Sequence, residues 1–125
     1  MRIAVFGATG GTGREVVTQA LGAGHYVTAV ARNPAALTIQ HDRLRVLCGD
    51  VLASETVLPA IIGQGAVVFS IGAEDRSPTK IYSVGMMNVL MAMREARVQR
   101  LICISASGLD PGPLIQKLIA KPLLW

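Results

Sequence analysis

The sequence predicts an α/β domain in which a parallel sheet is covered by helices on both faces. Three observations carry this expectation. Five short apolar runs, rich in β-branched residues, recur along the chain. Segments with helical spacing of apolar residues lie between them. The runs are apolar at consecutive rather than alternate positions, as strands are when both faces are covered. The 125 residues suit one domain, 1–125, of ordinary size.

Arg2–Phe6 reads as a buried strand closed by Gly7. Gly11–Ala23 has Val16, Val17, Ala20 and Leu21 at helical spacing and is stopped by Gly22 and Gly24. Tyr26–Ala31 is a second strand, ended by the turn Arg32-Asn33-Pro34. Leu44–Leu47 is a third, closed by Gly49-Asp50, and Ser54–Ile62 is a short helix with Ser54 as its N-cap. Ala66–Ile71 is a fourth strand. Ser77-Pro78 opens a long helix to about Arg97, since proline suits a first helical turn. Arg100–Ile104 is a fifth strand. Strands and helices in this rhythm give a doubly wound sheet of order 3-2-1-4-5.

Composition narrows the function classes. Apolar residues make up 51% and charged residues 16%, which excludes a disordered tail or a coiled coil. Aromatics are only 4%, so the core is aliphatic. So little charge implies that part of the surface is covered by a partner subunit, a cofactor or a further stretch of chain. The sequence halts on Pro122-Leu123-Leu124-Trp125, an unsolvated end that implies missing C-terminal elements or a homo-oligomer. The net charge of +4 comes from scattered arginines, so no nucleic acid is expected. Cys48 and Cys103 sit in apolar runs and read as core residues of a reducing cytosol. Met86, Met87, Met91 and Met93 read as core or subunit interface. His25 and His41 have no ligand company, so no metal is expected. The start MRIAVFGATGG lacks the features of a signal peptide, and Pro59, Gly63, Gln64 and Gly65 interrupt the longest uncharged stretch. These features predict a cytoplasmic protein without a membrane span.

The strongest functional signal is Gly7-Ala8-Thr9-Gly10-Gly11-Thr12-Gly13, between the first strand and the first helix. Gly7 lets the chain turn out of the strand. Gly10 lets backbone approach a pyrophosphate, and Gly13 lets the helix pack close to the sheet. Free N–H groups at the helix start then face the phosphates. Strand, glycine loop, helix and next strand together are the dinucleotide-binding pattern of a Rossmann-type sheet. There is no GK[ST], which argues against a triphosphatase loop. NAD-selective sites carry an acid at the end of the second strand, whereas this chain has Val30-Ala31-Arg32-Asn33. Arg32 can pair with a 2′-phosphate, which favours NADP(H) over NAD(H). Asp50, after the third strand, either contacts the adenine end or caps a short turn.

Five pieces in order resemble the NmrA-like and atypical short-chain dehydrogenase/reductase group. They are GATGGTG, ARNP, CGDV, FSIGAEDRSPTKIYSVGMMNVLMAM and VQRLICISASG. Within that group the SPT helix start, Gly85 and Asn88 are most similar to the biliverdin IXβ reductase (flavin reductase) type. The resemblance implies that Gly7, Thr9, Gly10, Gly11 and Thr12 bind the pyrophosphate and Arg32 the 2′-phosphate. It further implies Asp50 and Val51 beside the adenine, Ile71 and Gly72 beside the nicotinamide ribose, and Ser105 near the nicotinamide. The chain departs from the group's usual Tyr-x-x-x-Lys pair. No tyrosine follows Ser105, and the fourth neighbour of Tyr82 is Met86.

Two functions fit these residues. One is NADPH-dependent reduction of a small-molecule acceptor such as a flavin, a tetrapyrrole or a quinone-like compound, which can take its proton from solvent. Ser105 or Ser107 then supplies at most a hydrogen bond, or simply ends the strand and caps a turn. The other is a non-catalytic NAD(P)-binding redox sensor of the NmrA type.

Overall fold

In the computed structural model, which describes residues 1–71 and 80–104, five parallel strands form one sheet of order β3-β2-β1-β4-β5. The strands are β1 (Arg2–Phe6), β2 (Tyr26–Ala31), β3 (Leu44–Cys48), β4 (Ala66–Phe69) and β5 (Leu101–Cys103). The helices are α1 (Gly11–Gly22), α2 (Ser54–Ile61) and α3 (Met86–Ala96), the last entered through a π turn at Ile81–Gly85. The predicted order is observed. The readings placed on Gly72, Ser77-Pro78, Ser105, Ser107 and 113–125 lie outside the described residues.

Period-two alternation along the strands divides the core into two layers. Ile3 and Val5 face α1, where they pack with Val16, Val17, Ala20 and Leu21. Ala4 and Phe6 face the other way, into a cluster with Val57 and Ile61 of α2 and Val89 and Met93 of α3. β1 is covered on both sides, which is why its apolar residues are consecutive. Phe6 pairs in register with Phe69, the last residue of β4, and with Val30, one residue before the end of β2, so three strands end within one residue of each other. The loops that leave them therefore emerge side by side along one edge.

Three expectations are corrected. Ser54 is the first helical residue, and Ala53 is the N-cap, with no side-chain capping bond. The local bonds come instead from Thr56, whose hydroxyl lies 2.9 Å from the Asp50 N–H and 2.7 Å from the Ala53 carbonyl. The fourth strand ends at Phe69 rather than Ile71. Cys48 and Cys103 are exposed, not core, because each ends an edge strand. Partial burial still pushes the Cys103 thiol above its ordinary pKa. Of the methionines on α3 only Met93 is buried; Met87 and Met91 are exposed, as are Val84 and Leu90. Among the described residues no helix is long and apolar enough to cross a membrane.

His25, in the turn before β2, is 6% exposed, and neither ring nitrogen has a hydrogen-bond partner. Burial, and then the Met1 ammonium, holds its pKa below the ordinary 6.5. The folded state therefore prefers the neutral ring, and the unfolded chain takes up a proton first as pH falls. Stability should be full above pH 6.5 and decline as pH drops below it. His25→Phe should remove that decline and, by deleting two unpaired buried nitrogens, add about 1 kcal/mol at neutral pH. Urea denaturation at pH 7.5 and 5.5 checks both; an acid limb retained in the variant would disprove the assignment.

Candidate functional site

The carboxyl edge of the sheet between β1 and β4 is where the chain departs to opposite faces, after β1 to α1 and after β4 towards α3. Such a switch point leaves a crevice outside the strand ends. Its floor is fixed by a serine that sequence reasoning passed over. The Ser70 N–H and hydroxyl both donate to the Phe6 carbonyl, each at 2.9 Å. This bonds the end of β4 to the last residue of β1, immediately before the glycine loop. A small polar residue closing the apolar run AVVF was the available signal.

The glycines divide by physical task. Gly7 has φ +86°, and a Cβ there would meet the Ser70–Ile71 backbone at 2.8 Å. A Cβ on Gly13 would lie 1.9 Å from the Gly7 carbonyl oxygen and 2.8 Å from Ser70 Oγ. Both are required by the protein's own packing. Gly10 and Gly11 are different. Both are exposed, a Cβ on Gly10 would make only an ordinary 3.6 Å contact, and a Cβ on Gly11 would meet nothing within 4 Å. Among the described residues nothing demands that these two positions lack side chains.

Gly10 is also the N-cap of α1. No side chain caps this helix, and no acidic residue stands in its first turn. Its opening N–H groups have no partner within the helix and carry the positive end of the dipole. Thr9 and Thr12 flank them, half-buried. The described residues thus gather helix-start backbone donors on this edge, with bare backbone on its approach.

Arg32 leaves the end of β2 on the same edge and is exposed. Sequence reasoning also passed over Arg14, whose Nη2 lies 3.4 Å from the Ala36 carbonyl in the turn that follows Arg32. Asp50 has a local role: its Oδ1 accepts the Leu52 N–H at 2.9 Å. Val51 is 2% exposed, its side chain in the core beneath α2 and α3. Ile71 is half-buried beside Gly7. The structure thus gathers Gly7, Thr9, Gly10, Gly11, Thr12, Arg32, Asp50 and Ile71 on one edge and turns the Val51 side chain away. Among the described residues no cluster of His, Cys, Asp or Glu could hold a metal ion.

A parallel sheet with a glycine loop and an uncapped helix start at its switch point defines a dinucleotide-binding α/β domain. The chain belongs to the NAD(P)H-binding family, whose model matches residues 7–122. It is 28% identical over 109 residues to the photosystem II assembly factor Ycf39 of Cyanophora paradoxa, covering 84% of this chain and 34% of that protein. A Rossmann-fold NAD(P)-binding family protein from Shigella flexneri superposes with TM-score 0.72 at 25% identity, over 94% of this chain and 60% of its own. An oxidoreductase from Lactococcus lactis gives TM-score 0.74 at 23% identity, over 82% of this chain and 47% of its own. The chain spans about a third of the length of the curated relatives it matches.

The division of the glycines has a direct consequence. Gly13→Ala should lower the unfolding free energy by roughly 1–3 kcal/mol, the usual cost of overpacking, or more if the loop cannot shift. Gly11→Ala should be neutral or stabilising by up to about 1 kcal/mol, since alanine favours the helix and meets no neighbour. Equal losses in denaturant titrations of the two variants would contradict the packing described.

Proposed function

We propose that this chain is the dinucleotide-binding part of an NADP(H)-dependent oxidoreductase whose acceptor is a flavin, a tetrapyrrole or a quinone-like small molecule. The observation that carries the reading is the bare pair Gly10 and Gly11 at an uncapped helix start. An anion of pyrophosphate shape explains both the missing side chains and the free donors. In this reading Gly7, Thr9, Gly10, Gly11 and Thr12 hold the pyrophosphate, and Arg32 pairs with the 2′-phosphate. The Asp50–Val51 loop borders the adenine, and Ile71 and Gly72 pass the nicotinamide ribose.

A bound nicotinamide supplies the hydride. The protein's task is to orient it and to keep its phosphates neutralised. The fourth neighbour of Tyr82 is Met86 rather than lysine. In this reading the acceptor takes its proton from water, and Ser105 or Ser107 supplies a hydrogen bond. Met86, standing where a lysine would complete a Tyr-x-x-x-Lys pair at Tyr82, supports a second reading, a redox sensor that binds the dinucleotide without turning it over. NADPH oxidation followed at the nicotinamide absorbance band, with flavins, biliverdin and quinones in turn, separates them. Turnover supports the reductase. Tight binding without turnover across all three classes supports the sensor.

Arg32 gives the cofactor test. Arg32→Ala should weaken NADPH about 10–100-fold, the range of a charge-assisted pair, and leave NADH within about twofold. Calorimetry with both dinucleotides checks this. Equal losses for NADPH and NADH would remove the 2′-phosphate from Arg32.

A further inference from the structure

We infer that Asn88 is a positioning residue for the adenosine end of the site, an inference that rests on the dinucleotide reading above. The loop Gly49–Leu52 follows β3 on the same edge as Arg32. Its Val51 side chain is 2% exposed, so the loop can influence a ligand chiefly through where its backbone lies. Local bonds shape that backbone. The Gly49 N–H donates to the Ala31 carbonyl at 3.0 Å, and the Leu52 N–H donates to Asp50 Oδ1 at 2.9 Å. These bonds shape the turn, and Thr56 of α2 ties its first half to the helix layer, its hydroxyl 2.9 Å from both the N–H and the carbonyl of Asp50.

Its second half is tied from α3. Asn88 Nδ2 donates to the Val51 carbonyl at 2.8 Å across 37 residues of sequence. Gly85, one turn earlier, sits so close that a Cβ would lie 2.8 Å from Val51 Cγ2. Gly85 is the last residue of the π turn, a widened turn of a kind frequent at functional sites. Asn88 is half-buried next to the buried Val89 and one turn before the buried Ala92, where an apolar side chain would serve packing equally well. A half-buried amide there is costly unless bonded. Its bond holds the Val51 peptide with its carbonyl towards the helix. Without it that peptide keeps only the Leu52 N–H bond to Asp50 Oδ1, and its carbonyl loses its anchor on α3.

The test is calorimetry with three probes: NADPH; adenosine 2′,5′-bisphosphate, the phosphorylated adenosine end; and nicotinamide mononucleotide. Asn88→Ala should weaken NADPH and the bisphosphate by the same factor, about 5–10-fold, and leave the mononucleotide within about twofold. Gly85→Ala presses on Val51 without touching the amide. It should give the same pattern and stands in if Asn88→Ala does not fold. A lowered melting midpoint with all three affinities unchanged in both variants would make Asn88 a brace of the fold alone and overturn the inference. Parent protein that binds neither NADPH nor the bisphosphate would overturn the dinucleotide reading and this inference with it. Parent that binds both while the variants bind equally well would overturn this inference alone.

Discussion

The start of α1 crosses the end of β1 so closely that no side chain fits between them. A methyl group on Gly13 would stand 1.9 Å from the Gly7 oxygen. Ser70 completes the junction from β4 by donating twice to the carbonyl of Phe6, the residue before Gly7. Three elements are thereby fixed to one another at a single point. The direction in which α1 points its open N–H groups follows from that junction. So does the level at which the neighbouring strands end.

The cost of this arrangement is a set of helix donors left without internal partners. Elsewhere such groups are satisfied by a capping side chain or a nearby carboxylate. Among the described residues, α1 has neither a side-chain cap bond nor an acid in its first turn. The omission is coherent with the two exposed glycines beside it, because an acid or a capping side chain would compete with an anionic ligand for the same donors. Arg32 and the turn that Arg14 reaches extend positive charge along the same edge.

The opposite layer serves the site at a distance. α3 reaches the loop after β3 through Asn88 and Gly85, and Thr56 of α2 bonds Asp50 in the same loop. One end of α3 is also shaped by strain. Arg97 closes the helix with φ 60°, a left-handed conformation normally left to glycine, and the Val98 N–H returns to the Met93 carbonyl at 2.9 Å. The turn into β5 is therefore made by a charged residue on the surface, at some conformational cost.

The strand order and the glycine loop were legible in the sequence because they follow from local pattern. Consecutive apolar residues mark doubly covered strands, and the glycine spacing marks a tight strand-to-helix turn. Arg32 was legible for the same reason, standing directly after a recognisable strand. What only the tertiary structure decided were contacts between segments distant in the chain. Ser70 meets Phe6 across 64 residues, and Asn88 meets Val51 across 37. Edge position exposed Cys48 and Cys103, and no single run of sequence reveals whether a strand has one neighbour or two. Burial of His25 without a partner likewise depends on what packs over it. Local pattern fixes which elements form; the packing of one element on another decides which of their residues meet.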